Sequence, residues 1–256
     1  MYVKPKKHLG QHFLKNPSIC EDIAQALTGY GEYRTVLEIG PGTGALTAKL
    51  LARKDYEIHV AEIDTESVDY LRAYYPELRE RIITQDFLTL QLDKMFEGQI
   101  AIAGNFPYNI SSQIIFKILD YKHIVPEMVG MFQKEVAARA AGKPGNKDYG
   151  ILSVLLQAYY DAEYLFTVDE HEFDPPPKVK SGVIRIKRKT EQVFGCDEKK
   201  FNLVVKTAFN QRRKMLRGSL KSLLSPHVDI TQPIFTQRPE ELSVQEFKDL
   251  TNLLYP

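Results

Sequence analysis

The sequence predicts a doubly wound α/β fold followed by a small all-helical domain, and three observations carry that expectation. Short apolar runs alternate with segments of helical periodicity through the first part of the chain. A glycine-rich turn joins the first long apolar run to the helix behind it. After residue 189 the strand-like runs stop, and only helical, basic segments remain.

Taken in order, Asn16 and Pro17 read as an N-cap and a first-turn proline, opening an amphipathic helix through Leu27. Thr35–Ile39 reads as a strand, Ala45–Ala52 as a helix, Glu57–Ala61 as a strand and Thr65–Tyr75 as a helix. Arg81–Thr84 and Gln99–Ala103 are further strands, Ser111–Leu119 a helix and Met128–Phe132 a strand. Helical periodicity returns in Lys134–Ala141 and Ile151–Ala158. Strands alternating with helices need crossover connections, which implies a mostly parallel sheet with helices on both faces. Tyr159–Val168 and Gly182–Lys187 read as two last strands that finish the sheet with an antiparallel edge. Between them lies Phe173-Asp174-Pro175-Pro176-Pro177-Lys178, a rigid extended connector because its three prolines fix φ and lack N–H donors. Glu198–Phe209, Arg212–Leu224 and Val244–Leu254 read as helices, with a domain boundary between Lys189 and Asp197.

Composition narrows the class. A length of 256 residues suits one sizeable α/β domain plus a smaller one, and 43% hydrophobic against 26% charged residues is ordinary for a soluble globular protein. No run approaches a membrane span, and the basic N-terminal stretch is not followed by an apolar signal core, so a cytoplasmic protein is expected. Cys20 and Cys196 stand far apart with no second Cys or His at ligand spacing, and read as reduced thiols with neither a disulfide nor a metal site. The net charge is only +1, yet Lys178 to Lys221 holds fourteen Lys and Arg against three acidic residues. That stretch therefore carries +11 and the remainder −10. Such asymmetry suits a polyanion, since Lys and Arg gain affinity by displacing phosphate counterions. It equally suits a solvated helical face with counter-charges nearby in space, and charge alone does not separate the two.

The turn Glu38-Ile39-Gly40-Pro41-Gly42-Thr43-Gly44 follows the first strand. Glycines there let the backbone approach a ligand, and the helix N-terminus behind them offers free amide donors. Glu62, ending the second strand twenty residues after Gly42, stands where a carboxylate would accept hydrogen bonds from ribose hydroxyls. These residues leave a nicotinamide cofactor and S-adenosylmethionine both open. Gln85-Asp86-Phe87 ends the third strand, where Asp86 can accept from an adenine amino group with Phe87 against the base, or simply cap the next turn.

Asn105-Phe106-Pro107-Tyr108, directly after the fourth strand, decides between the cofactors. The exocyclic nitrogen of adenine is a poor nucleophile because its lone pair is delocalised into the ring. Methylating it calls for acceptors that hold the amino hydrogens while positive charge develops. The Asn105 side-chain oxygen and the Phe106 or Pro107 carbonyl are such neutral acceptors. Pro107 stiffens the loop, and Tyr108 offers a ring for an unstacked base.

On these motifs the chain resembles the ribosomal RNA adenine N6-dimethyltransferase family, in its bacterial small-subunit branch, over nearly its whole length. Leu9-Gly10-Gln11-His12-Phe13-Leu14, the glycine turn, Glu62, Asp86 and Asn105-Phe106-Pro107-Tyr108-Asn109-Ile110-Ser111 follow in family order. Gln133-Lys134-Glu135-Val136, Tyr149-Gly150, the proline connector through Val179 and Phe209-Asn210-Gln211-Arg212-Arg213-Lys214 complete the set. Two positions depart from the pattern: His12 where Asn is also common, and Phe106 where Leu is usual, a change expected to reshape the base pocket.

The resemblance implies an S-adenosylmethionine-binding catalytic domain over residues 1–189 and a basic helical RNA-binding domain over 190–256. It implies cofactor contacts from His12, Leu14, Gly40, Glu62, Asp86 and Asn105; the residues themselves add Gly42 to the cofactor set, place catalysis at Asn105, Pro107 and Tyr108, and call for no metal. The implied substrate is 16S ribosomal RNA in the small ribosomal subunit, two neighbouring adenines each receiving two methyls from an enzyme acting as a monomer. RNA binding is expected from Lys178, Lys180, Arg212, Arg213, Lys214 and Arg217, which would position phosphates more than read bases. Two rival readings share the fold: a large-subunit RNA methyltransferase of the resistance-conferring kind, and a ribosome-assembly factor whose binding role is separable from catalysis.

Overall fold

A computed structural model describes residues 3–190 and 193–256. In chain order the elements are β1 (Phe13–Leu14), α1 (Pro17–Gln25), β2 (Thr35–Ile39), α2 (Ala45–Ala52), β3 (Glu57–Ala61), α3 (Thr65–Tyr74), β4 (Ile82–Ile83), α4 (Leu92–Met95), β5 (Ile100–Asn105) and α5 (Ser111–Asp120). They continue with β6 (Glu127–Gln133), α6 (Lys134–Ala140), α7 (Ile151–Gln157), β7 (Tyr160–Val168), β8 (Phe173–Asp174), β9 (Ser181–Arg188), α8 (Glu198–Asn210), α9 (Leu216–Ser219) and α10 (Val244–Leu254).

Seven strands form one sheet in the order β4-β3-β2-β5-β6-β9-β7. The first five run parallel, and β9 pairs antiparallel with β6 from Glu127–Lys187 to Gln133–Ser181. The antiparallel pairing matches the expectation, although β9 lies one position inside the edge and β7 is the outer strand. The central strands β5 and β6 are buried almost throughout, as near-continuous apolar runs require when helices cover both faces. Val36, Val60, Ala101, Val129 and Val183 from five strands join Ile23, Leu46 and Leu50 from α1 and α2, and Leu27 just after α1, in one core. The first helix starts as anticipated: Asn16 Oδ1 accepts from Ser18 N at 2.9 Å, with Pro17 at the first position. The segments Phe13–Leu14 and Phe173–Asp174, distant in sequence, pair antiparallel in a separate two-stranded ribbon.

The chain divides into two compact units, Met1–Ala137 with Asp161–Arg188, and Ala138–Tyr160 with Lys189–Pro256. The expected boundary between Lys189 and Asp197 includes positions 191 and 192, which lie outside the described residues. In the second unit α7 joins the C-terminal helices. Its core holds Phe201, Val204, Val205 and Ala208 of α8 with Phe247 and Leu250 of α10. Asp197 caps α8 through Lys200 N at 2.8 Å, and Ser243 and Glu246 form a reciprocal capping box on α10. A continuous helix over Arg212–Leu224 does not form. Helix α8 ends at Asn210, residues 211–214 turn, and the short α9 and a 3-10 turn at Lys221–Leu223 follow. Asn210 to Lys214 is wholly polar and holds three consecutive cations, so no apolar face anchors a helical turn there. Among the described residues no helix is long and apolar enough to cross a membrane.

Candidate active site

From β2 the chain moves outward to β3 and β4, then returns to place β5 on the other side of β2. The strand order reverses between β2 and β5, and ligand crevices form beyond the carboxyl ends of strands at such a point. A cleft lies there. It is lined by residues 9–14, the loop after β2, the end of β3, Asp86 after β4, and residues 105–110 after β5. His12, Leu14, Gly40, Gly42, Glu62, Asp86, Asn105, Pro107 and Tyr108, named from widely spaced parts of the sequence, all line this one cleft.

The loop after β2 depends on glycine. Gly40, Gly42 and Gly44 adopt φ of 64°, 55° and 79°, the left-handed region that side chains disfavour. At Gly42 a Cβ would also come within 2.7 Å of the Phe13 ring. Gly42 N donates to Glu62 Oε2 at 3.0 Å, while Ile63 N and Asp64 N donate to Glu62 Oε1 at 2.9 Å each. Glu62 therefore ties the glycine loop to the end of β3. Burial pushes its carboxyl above the ordinary range, against the opposing pull of those three amides.

A second carboxyl, Glu38, lies in the same cleft and was not singled out from the sequence. It is 1% exposed and accepts a hydrogen bond from Thr47 Oγ1 at 2.6 Å. Burial pushes its pKa up to about 8; the Thr47 hydroxyl opposes the rise and Glu62 adds to it. The available signal was a lone acid in an otherwise apolar strand, Thr35-Val36-Leu37-Glu38-Ile39.

Asp86 caps the turn behind it, Oδ1 accepting from Leu88 N at 2.9 Å, and lines the cleft as well. Phe87 is buried. The turn is pinned from α5 by Lys117, whose Nζ donates to the carbonyls of Leu88 at 2.9 Å and Leu90 at 2.5 Å. Burial lowers the Lys117 pKa. The helical pattern of Ser111-Ser112-Gln113-Ile114-Ile115-Phe116-Lys117 gave no hint of this role.

Asn105 is the last residue of β5, and its Nδ2 donates to the His12 carbonyl at 2.9 Å. That bond uses one of the two amide hydrogens and fixes the orientation of the amide, with Oδ1 as its acceptor end. Pro107 sits at φ −57°, ψ 130°, and its carbonyl accepts from Ile110 N and Ser111 Oγ, each at 3.3 Å. Tyr108 is half-buried, with its hydroxyl bonded to Ser181 Oγ and its ring centroid 5.3 Å from that of His12. Burial raises its phenol pKa. Phe106 lines the same cleft, with its side chain buried in the core. It is 1% exposed, 4.7 Å from Phe132 between ring centroids, and fills the space above Gly104 and Gly130, which have no Cβ to obstruct it.

The N-terminal strap is held at both ends. Lys6 Nζ pairs with Asp64, and Gln11 Nε2 donates to Asp64 Oδ2 at 3.4 Å. Burial alone would raise the Asp64 carboxyl, but the bonds from Lys6, Ser67 and Gln11 outweigh it and hold the pKa low. Further along, His12 Nδ1 donates to the Pro175 carbonyl at 2.7 Å, and Leu14 is buried in β1 opposite Phe173.

The expected RNA contacts fall in both units. Lys178 is exposed and Lys180 pairs with Asp169. Arg212, Arg213 and Lys214 occupy the turn between α8 and α9, not the start of a helix, and Arg217 lies in α9. Arg213, Lys214 and Arg217 are exposed, whereas Arg212 is half-buried.

A glycine loop tied to a buried glutamate, at the reversal point of a sheet of five parallel strands extended by the antiparallel β9, defines an α/β protein of the methyltransferase fold. The same fold occurs in a dimethyladenosine transferase from Plasmodium falciparum, with a TM-score of 0.77 and 24% identity over 94% of this chain and 95% of that one. It occurs also in the 23S rRNA methyltransferase ErmE, with a TM-score of 0.70 and 24% identity over 94% and 99% of the two chains. The family model for ribosomal RNA adenine dimethylase matches residues 3–252, and the chain belongs to that family. Proteins called ribosomal RNA small subunit methyltransferase A are close relatives. That of Cytophaga hutchinsonii is 58% identical over 252 residues, 98% of each chain. That of Parabacteroides distasonis is 58% identical over 250 residues, 97% of this chain and 93% of its own. Membership makes this chain an enzyme, a methyltransferase acting on ribosomal RNA.

Proposed function

We propose that this enzyme transfers methyl groups from S-adenosylmethionine to the exocyclic N6 of two adjacent adenines in 16S ribosomal RNA of the small subunit, acting as a single copy in the cytoplasm. The observation that carries the reading is Asn105 at the end of β5, its amide nitrogen bonded to His12 O and its oxygen left as acceptor beside the cleft.

The residues present suit the cofactor. Glu62 Oε2 holds one amide and retains capacity for a ribose hydroxyl, and Asp86 spends one oxygen on its cap and retains the other for an adenine amino group. Gly40 and Gly42 allow close backbone approach, while His12 and Leu14 contribute from the strap. S-adenosylmethionine, when bound, supplies the electrophilic methyl group.

Asn105 Oδ1 accepts one hydrogen of the target amino group, so that the nitrogen lone pair leaves conjugation with the ring. The Pro107 carbonyl is tied into its own turn, which favours the Phe106 carbonyl as the second acceptor and gives Pro107 the task of aiming it. Both acceptors are neutral dipoles set before the charge develops, so little reorganisation is needed at the transition state. Tyr108, fixed through Ser181, stacks against the extruded base. The proton leaves to water after transfer, and no metal takes part. A second methylation needs only one amino hydrogen, which a single acceptor can hold.

The small-subunit assignment rests on relatives at 54–58% identity that carry that name across nearly the whole chain. Labelled S-adenosylmethionine offered with unmethylated small or large subunits tests it. Label entering two adjacent adenines of the small-subunit RNA is expected, and label entering large-subunit RNA alone would refute it.

A further inference from the structure

The helical unit separates its cations into two kinds. Arg212 is engaged within the protein: its Nη2 donates to the carbonyls of Lys147 at 2.8 Å and Asn146 at 3.4 Å, and its Nε lies 3.9 Å from Glu240 Oε2. The loop it holds, residues 142–149 between α6 and α7, is fastened a second time by Gly145 N donating to the Glu240 carbonyl at 2.8 Å. Lys143 and Lys147 on that loop, and Arg213, Lys214 and Arg217 beside Arg212 in sequence, are exposed. Among the described residues none of these five forms an ion pair. Asp148 is the only acid in the loop, and no acidic residue occurs from Lys199 to Val228.

We infer that loop 142–149 and the turn 211–217 form one phosphate-binding surface for folded RNA, in which Arg212 is the positioning residue and Lys143 and Lys147 are contacts. Resting on the proposed action on ribosomal RNA, this removes Arg212 from the set of direct phosphate contacts and adds two lysines from a loop some seventy residues earlier. The chemistry follows from the division of roles. A guanidinium offers five donors in a fixed fork, so it can bridge two carbonyls and a carboxylate at once. Unpaired ammonium and guanidinium groups on an exposed turn suit phosphates, each neutralisation releasing counterions. A loop tethered at Lys147 and Gly145 presents its lysines without the ordering cost of a free loop.

The slope of log affinity against log salt counts phosphate contacts, at about 0.7–0.9 for each one. With 16S ribosomal RNA lacking adenine methylation as the probe, K143Q/K147Q is expected to lower that slope by about 1.4–1.8, and R213Q by about 0.7–0.9. R212Q removes one charge but frees the loop, so it is expected to lower the slope as much as the loop pair does. Adding K143Q/K147Q to R212Q should then cost little more, a strong departure from additivity. If R212Q does not fold, R212K replaces it: the charge stays, the fork is lost, and the slope should still fall. Cofactor affinity should stay at the unaltered protein's value in all variants; the melting temperature should stay there for K143Q/K147Q and R213Q and fall only where Arg212, with its internal bonds, is replaced. A slope unmoved by K143Q/K147Q overturns the surface, and an R212Q effect of one contact, additive with the loop pair, overturns the positioning role. Absence of RNA binding by the unaltered protein, with cofactor binding intact, would instead overturn the functional reading.

Discussion

Glu38→Gln isolates the cost of holding an ionisable carboxyl in the floor of the cleft. Glu38 is 1% exposed, and burial displaces its pKa from an ordinary 4.5 to about 8. Well below pH 4.5 the carboxyl is protonated in both folded and unfolded chains, and its burial carries no electrostatic penalty. As pH rises from 4.5 to 8 the unfolded chain releases its proton while the folded one keeps it, so stability falls with pH and levels off above 8. At about 1.4 kcal/mol per tenfold change in proton activity, the penalty is of the order of 3 kcal/mol at pH 7 and of the order of 5 kcal/mol above pH 8. Gln keeps an acceptor for the Thr47 hydroxyl and cannot ionise. The variant should therefore match the unaltered protein well below pH 4.5 and exceed it by of the order of 3 kcal/mol at pH 7. Urea unfolding at three pH values measures this. A stability difference that does not change with pH would refute the reasoning.

Two further substitutions probe the walls of the cleft. Lys117→Met removes both charge-assisted bonds that hold the turn after Asp86, and cofactor affinity measured by calorimetry should fall about tenfold, close to the energy of one such bond, while RNA affinity holds. Unchanged cofactor affinity would make the bonds incidental. Gly130→Ala drives a methyl into the Phe106 ring and should cost about 1–3 kcal/mol by overpacking. Combining it with Phe106→Leu should restore most of that loss, and additive losses in the double variant would contradict the packing account.

Much of this was legible in the sequence because the relevant signals are local. The alternation of apolar runs and helices gave the sheet, since strands buried on both faces must be continuously apolar. Asn16-Pro17 marked a helix start, and the glycine turn, Glu62, Asp86 and Asn105-to-Tyr108 each ended a strand and so met in one cleft. What escaped was decided by contacts between distant segments. Apolar spacing of Leu216, Leu220 and Leu224 suits a helix over Arg212–Leu224, yet the polar, like-charged residues at its start turn instead and only Leu216–Ser219 is α-helical. Residues 138–160 fit the alternating pattern but pack with the C-terminal helices. The seat of the Phe106 ring is set by Gly130, which lies in another strand and has no Cβ to obstruct it. Arg212 is indistinguishable in sequence from Arg213, and only the carbonyls of Asn146 and Lys147 separate them.

The central claim concerns Asn105, and single-turnover methyl transfer by Asn105→Ala at saturating cofactor and RNA tests it most directly. Removing one preorganised acceptor from a developing charge costs roughly 10²–10³ in rate. The account predicts a fall of that size with RNA affinity unchanged, and restoration of much of the rate by no residue lacking a side-chain oxygen. A rate within a few-fold of the unaltered enzyme would contradict it.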